Sequence, residues 1–80
     1  MTKTEARRTI REVMANTFDV DEDDLNDSTG QKDLPAWTSM AHLRLITSLE
    51  QALGLRFTMK EASALTSYSE IEKAVLAKKG

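Results

Sequence analysis

The sequence contains no cysteine. Without cysteine the chain forms no disulfide framework, binds no metal through thiolates and has no cysteine nucleophile. Long apolar runs are also missing, and none approaches the about 20 residues that a membrane-spanning helix requires. The first six residues lack the apolar segment of a signal peptide. We therefore expect a cytoplasmic protein that does not insert into a membrane.

Histidine is also scarce, and His42 is the only one. One histidine without other ligands at a suitable spacing does not make a zinc site, and it does not supply the base of a Ser-His-Asp triad. The acidic stretch 19–27 suggests calcium, but an EF-hand needs glycine at its sixth position and glutamate at its twelfth. Counted from Asp19, those positions hold Asp24 and Gly30. We expect no catalytic site and no metal.

Size and charge narrow the function classes further. The 80 residues predict a single domain, 1–80, and so short a chain buries only about 60% of the surface that its unfolded form exposes. A thin core favours a carrier, adaptor or binding module over an enzyme. A net charge of −2 gives no general attraction to nucleic acid or anionic membranes. Arg7, Arg8 and Arg11 form a small basic face without interleaved aromatic residues, which is typical of a solvated surface.

Apolar spacing and capping signals predict an all-α fold. Ala6, Ile10 and Met14 recur at the spacing of one helix face. The pairs Thr2 with Glu5 and Thr58 with Glu61 have the spacing of capping boxes, Thr38 is a plausible N-cap, and Gly54 is typical of a helix end. Ser67 with Glu70, or Ser69 with Glu72, would cap the last helix. We predict helices over 3–17, 39–53, 59–65 and 69–78.

The connection from 18 to 37 has no regular period and is rich in aspartate. A structureless segment of this length is unusual in a small domain. We expect four apolar side chains to hold it against the bundle: Val20, Leu25, Leu34 and Trp37. We expect Trp37 to be a packing anchor and Tyr68 to lie at the edge of the core.

The most informative residue is Ser39, which stands where this loop meets the first turn of the second helix. Backbone N–H groups are free there and the helix dipole is positive, so a phosphate ester on Ser39 Oγ would lie in a favourable field. Plain capping of the helix by Thr38 and Ser39 explains the same residues. The helix start alone leaves both interpretations open.

The wider pattern resembles the acyl carrier protein family from Val20 to Val75. In that family the modified serine stands in an Asp-Ser-Leu motif at the start of the second helix, often after tryptophan and before a histidine and a leucine. The corresponding stretch here reads Trp37-Thr38-Ser39-Met40-Ala41-His42-Leu43. The later stretch from Leu49 to Thr58 is similar to the end of the family's second helix. The resemblance implies a four-helix bundle of acyl-carrier type, with three main helices, a short third helix and a long loop between the first two.

The resemblance also implies a function. A phosphopantetheinyl transferase would move 4'-phosphopantetheine from coenzyme A onto Ser39, and the thiol of that arm would carry acyl groups as thioesters. The partners would be acyl-loading and acyl-processing enzymes of fatty-acid, polyketide or related biosynthesis. The chain itself would be a monomeric, non-catalytic carrier subunit.

Two positions depart from the family pattern. Thr38 replaces the aspartate before the serine, which removes a carboxylate beside the transferase's cationic site, and Met40 replaces a leucine of similar volume. The second helix is also not acidic in the way common fatty-acid carriers are. We expect partner recognition at Thr38, Met40, His42 and Leu43. Two alternatives stay open: a degenerate carrier without the arm, and an unrelated helical adaptor with an amphipathic groove.

Overall fold

Four α-helices account for most of the chain in the computed structural model, which describes residues 2–79 and gives only the backbone of residue 79. They are α1 (Lys3–Phe18), α2 (Ser39–Leu53), α3 (Met59–Ala64) and α4 (Tyr68–Lys79). Within residues 2–79 there is no β-strand, and no helix is long and apolar enough to cross a bilayer. The predicted all-α class is confirmed, and each predicted helix end lies within one residue of the observed end.

The helix ends follow from the capping residues. Thr2 Oγ1 accepts a hydrogen bond from the backbone N–H of Glu5 at 3.1 Å, and Thr58 Oγ1 accepts from that of Glu61 at 3.1 Å. Both glutamates reach back to the backbone N–H of their threonine, which completes the two predicted capping boxes. Gly54 ends α2 with φ of 64°, a left-handed conformation that glycine adopts without a Cβ penalty.

The core lies where α1 packs against α2 and α4. The four buried residues of α1 recur every four positions, so one stripe of this helix faces the other two. The buried apolar residues are Ala6, Ile10, Met14, Phe18, Leu25, Trp37, Ala41, Leu45, Ile46, Leu49, Leu53, Leu65, Tyr68, Ile71 and Val75.

The long loop between α1 and α2 contains two short 3-10 turns, Glu22–Asp24 and Gln31–Asp33. Leu25 is fully buried and Trp37 is almost so, while Val20 and Leu34 are half-buried against the core. The prediction that these four side chains hold the loop is confirmed.

A backbone bridge gives the loop a further attachment. The loop runs antiparallel to the α3–α4 connection around Gly30. The Gln31 N–H donates to Thr66 O, and the Tyr68 N–H donates to Thr29 O, each at 2.8 Å. The middle of the loop is therefore fixed to the start of α4, which Ser67 caps by accepting the N–H of the residue three positions on.

One sequence prediction is wrong where α4 begins beside α1. Tyr68 is fully buried rather than at the core edge, because it is the first residue of α4 and lies under the Arg7 guanidinium, 5.7 Å from the ring centroid. The basic face is solvated at Arg8, as expected, while its other two arginines also contact the loop. Arg7 forms a 2.6 Å ion pair with Asp27, and Arg11 Nη2 donates to Leu25 O at 2.6 Å. These arginines hold the loop against α1.

Candidate functional site

The N-terminus of α2 is built by Thr38. Its backbone is extended, with φ of −81° and ψ of 173°, and its Oγ1 accepts the Ala41 N–H at 3.2 Å. Its carbonyl oxygen accepts the His42 N–H at 2.8 Å. This is the predicted N-cap, and it makes Ser39 the first residue of the helix. The Ser39 side chain is exposed.

Free backbone donors surround the serine. Among the hydrogen bonds described for residues 2–79, none uses the backbone N–H of Ser39 or Met40, and none engages the Ser39 hydroxyl. The first turn of α2 carries no acidic side chain. Two unpaired N–H groups at the positive end of a helix favour an anionic group on Ser39 Oγ.

The approach to Ser39 is held in place by Trp37. The indole is 3% exposed, and its ring centroid lies 4.9 Å from that of Phe18 at the end of α1. The backbone N–H of Trp37 donates to Leu34 O at 3.0 Å, which closes the turn that leads into α2. A buried aromatic residue two positions before the serine therefore fixes where the serine stands. The prediction of Trp37 as a packing anchor is confirmed.

His42 joins three parts of the molecule. Its Nδ1 lies 3.0 Å from Trp37 Nε1, and its Nε2 lies 2.8 Å from the carbonyl oxygen of Ala62 in α3. An indole N–H only donates and a carbonyl only accepts, so these partners select the neutral imidazole with its proton on Nε2. The expectation of a helix-surface residue is wrong, because His42 is half-buried with both ring nitrogens engaged. Both ring nitrogens are therefore used in contacts within the protein.

The other predicted recognition residues are exposed to solvent. Met40 is 73% exposed and Leu43 is 69% exposed, three positions apart on the outer face of α2. Thr38, like Ser39, is exposed. The structure thus brings Ser39 and these apolar side chains together on the first turns of one helix, and it separates them from His42, which faces inward.

The sequence reading missed Met59, the first residue of α3, which is 89% exposed. The contact between His42 and Ala62 places α3 beside the start of α2. The exposure of Met59 could have been expected from the sequence. The capping box makes Met59 the first residue of α3, and an apolar side chain at that position does not belong to a buried stripe of the helix. Met59 is thus a further exposed apolar side chain of α3, separate in sequence from the exposed pair Met40 and Leu43 of α2.

Within residues 2–79, no three side chains of the types His, Cys, Asp or Glu lie close enough together to hold a metal ion. Part of the negative charge of the acidic loop is paired with α1, because Asp27 forms an ion pair with Arg7.

Neither a scan against models of protein families nor a search of curated proteins finds a match. A function for the protein therefore depends on the residues around Ser39 and on the family resemblance of its sequence pattern.

Proposed function

We propose that the protein is a carrier of the acyl-carrier type, bearing 4'-phosphopantetheine on Ser39. The observation that carries the proposal is the exposed Ser39 side chain on the first turn of α2, at the end of a loop anchored by buried Trp37. Three longer helices, a short third helix and a long loop between the first two are the arrangement that the resemblance implies.

The residues present fit the prosthetic group. A phosphate ester on Ser39 would have the free N–H groups of Ser39 and Met40 and the positive end of α2 close by. No acidic side chain of that first turn would repel it. When bound, the group supplies a thiol that forms thioesters, a chemistry that a chain without cysteine otherwise lacks.

Loading requires little of the carrier itself. The Ser39 oxygen forms a bond to the phosphorus that bears the pantetheine arm, the pyrophosphate bond of coenzyme A breaks, and adenosine 3',5'-bisphosphate leaves. The hydroxyl proton passes to a base of the phosphopantetheinyl transferase, because His42 has both ring nitrogens engaged. The protein is then a non-catalytic subunit that presents acyl groups to loading and processing enzymes, as a cytoplasmic monomer.

One residue, Thr38, favours a second function, that of a protein-binding module without the prosthetic arm. Thr38 stands where the family pattern has aspartate, so the carboxylate next to the serine is missing, although the threonine caps the helix. A carrier-like fold that has lost its arm would act only by binding other proteins through the exposed side chains of α2.

Intact mass separates the two. The wild-type chain is incubated with coenzyme A and a broad-specificity phosphopantetheinyl transferase, next to Ser39→Ala and the matched control Ser63→Ala. Ser63 is an exposed serine of α3 whose hydroxyl donates to Met59 O at 2.9 Å. We expect one phosphopantetheine adduct on the wild type and on Ser63→Ala, and none on Ser39→Ala.

The same experiment can contradict the proposal. An adduct that persists on Ser39→Ala would place the modification elsewhere. A folded, helical wild-type chain that gains no adduct, together with a Thr38→Asp variant that also gains none, would favour the protein-binding module without an arm.

A further inference from the structure

The imidazole of His42 lies in the middle of a short chain of hydrogen bonds. The indole N–H of Trp37 donates to Nδ1 at 3.0 Å, and Nε2 donates to the carbonyl oxygen of Ala62 at 2.8 Å. We use the name imidazole link for these three groups. Because Trp37 belongs to the loop before α2 and Ala62 to α3, the imidazole link joins three segments through one side chain.

The imidazole link requires the neutral form of His42. An indole N–H only donates, so Nδ1 must offer it a lone pair. A proton on Nδ1 would place two N–H groups opposite each other, and the hydrogen bond from Trp37 would be lost. Nε2 would still donate to Ala62. Protonation therefore breaks one of the two hydrogen bonds and leaves the other.

The lost hydrogen bond cannot be replaced while the indole stays in place. Trp37 is almost fully buried and packs on the ring of Phe18. Among residues 2–79, His42 Nδ1 is the one hydrogen-bond partner of the indole N–H. A buried donor without a partner is costly, because it has given up its hydrogen bond to water. A protonated His42 therefore favours movement of the end of the loop, which lets water reach the indole.

The charges on α2 itself do not favour a protonated His42. The start of α2 is the positive end of the helix dipole, and its first turn has no acidic side chain. Arg44, two residues further along, is a second positive charge. Glu50 is the only carboxylate of α2, and it accepts the backbone N–H of Phe57 at 2.8 Å near the other end of the helix.

The charges on α3 and α4 do not favour it either. Lys60 and Glu61 come directly before Ala62 in α3. Glu61 accepts the N–H of Thr58 at 2.8 Å and pairs with Lys78 of α4 at 2.9 Å. This carboxylate is therefore already used by other partners, and no ion pair among residues 2–79 involves the imidazole.

The loop and α1 complete the surroundings of the imidazole link. The nearest charged residues before Trp37 are Lys32 and Asp33, and Asp33 accepts the backbone N–H of Gly30 at 2.9 Å. At the end of α1 the nearest charge is Asp19, which is exposed. No element packed around the imidazole thus supplies a carboxylate that contacts it.

We propose that the imidazole link is a pH-sensitive switch on the segment that contains Ser39. With neutral His42, the link holds the end of the loop and α3 against the start of α2. Protonation of His42 breaks the hydrogen bond from Trp37 and loosens the end of the loop. Ser39 lies between these two residues in the chain, so it is held firmly at neutral pH and less firmly in acid. The switch does not depend on the loading of Ser39.

The test follows the only tryptophan and the only histidine in one NMR titration of the full chain, from about pH 8 to about pH 5, the range in which histidine titrates. Imidazole nitrogen resonances report the tautomer of His42. The indole N–H resonance and its exchange with water report the hydrogen bond from Trp37. The matched variant is His42→Gln, because glutamine offers one acceptor and one donor for the same partners and does not titrate.

We expect a neutral imidazole with its proton on Nε2 at the start of the titration. As the pH falls, the resonances of His42, the indole N–H and the Ala62 amide should move together in one transition. Exchange of the indole N–H, relative to His42→Gln at the same pH, should become about tenfold faster across that transition. The indole resonance of His42→Gln should stay constant.

An indole resonance and exchange rate that stay constant while His42 becomes protonated would overturn the switch. A folded chain whose His42 stays neutral down to about pH 5 would overturn it as well. Equal changes in the wild type and in a folded His42→Gln chain would assign the effect to other titrating groups. If the variant does not fold, the agreement or disagreement of the two transitions in the wild type still decides.

Discussion

The indole N–H of Trp37 donates to Nδ1 of His42 over 3.0 Å, and the same imidazole reaches the carbonyl oxygen of Ala62 over 2.8 Å. These two hydrogen bonds connect the loop before α2 with α2 itself and with α3. They fix the relative positions of Ser39 and the exposed side chains beside it, although Trp37 is buried and His42 is half-buried.

Removing the imidazole tests this connection. His42→Ala leaves the buried Trp37 N–H and the Ala62 carbonyl without their partner, and we expect the free energy of unfolding to fall by about 1–3 kcal/mol. Urea denaturation followed by the emission of Trp37, the only tryptophan, measures the loss. The control is Thr47→Ala, an exposed residue of α2 that should change stability by no more than about 0.5 kcal/mol. Equal effects of the two substitutions would contradict the role of His42.

Substitutions at Thr38 distinguish its role as the N-cap of α2 from its effect on the loading of Ser39. Thr38→Ala removes the acceptor of the Ala41 N–H and should cost about 1 kcal/mol of stability. Thr38→Asp keeps an acceptor at the N-cap and adds a carboxylate next to Ser39, so stability should be retained while loading by a broad-specificity transferase becomes roughly tenfold faster. Rates of adduct formation by mass spectrometry and urea unfolding are compared on the same samples. A Thr38→Asp chain that loads no faster than wild type would show that Thr38 does not limit loading.

Tyr68 predicts a loss of stability at alkaline pH. Burial raises the pKa of its phenol, and the nearby Arg7 guanidinium opposes that shift. Because the folded-state pKa lies above the unfolded one, the stability linked to the neutral phenol is complete below the unfolded pKa. It is lost as the pH rises through the folded pKa. The free energy of unfolding should therefore decrease from about pH 10 upward, and less steeply in Tyr68→Phe.

The measurement is direct because the chain has one tyrosine. Tyrosinate absorbance reports the ionisation of Tyr68 alone, and its midpoint in the folded protein should lie above that of the urea-unfolded chain. A folded-state midpoint at or below the unfolded one would contradict the predicted direction. In the unfolding experiment, Tyr68→Phe shows how much of the alkaline loss of stability comes from lysine ionisation, which occurs in the same pH range.

Leu25 tests whether the long loop is part of the core. The side chain is fully buried although it belongs to no helix. Leu25→Ala should therefore cost about 2–5 kcal/mol, as a core truncation does. Leu34→Ala, a half-buried position of the same loop, is the matched control and should cost less. Thermal unfolding compares both with wild type, and a Leu25→Ala effect as small as that of a surface change would contradict a packed loop.

The parts of the fold that could be predicted are those encoded by neighbouring residues. Thr2, Thr58 and Gly54 act on backbone groups within a few positions, so the sequence indicated where three helices begin or end. The burial of Leu25 and Trp37 could be expected because a long loop in a small domain needs apolar contacts.

The parts that were wrong depend on residues far apart in the chain. His42 meets a carbonyl 20 residues away, and Tyr68 lies 61 residues from Arg7, whose carbonyl oxygen its hydroxyl approaches at 3.5 Å. Helical periodicity describes one element at a time and contains no information about which element covers it. The same limit applies to Met59, because its exposure depends on how α3 packs against the rest of the chain.

The antiparallel bridge around Gly30 divides the connection between α1 and α2 into two shorter spans, 19–29 and 31–38. Closing two short spans against fixed points leaves much less freedom than one long loop would have. The second span, which leads to Ser39, starts from the end of the bundle where α4 begins. A length change in the acidic first span should therefore be absorbed before the bridge, leaving the serine positioned by the second span and by the packing of Trp37 on Phe18 of α1.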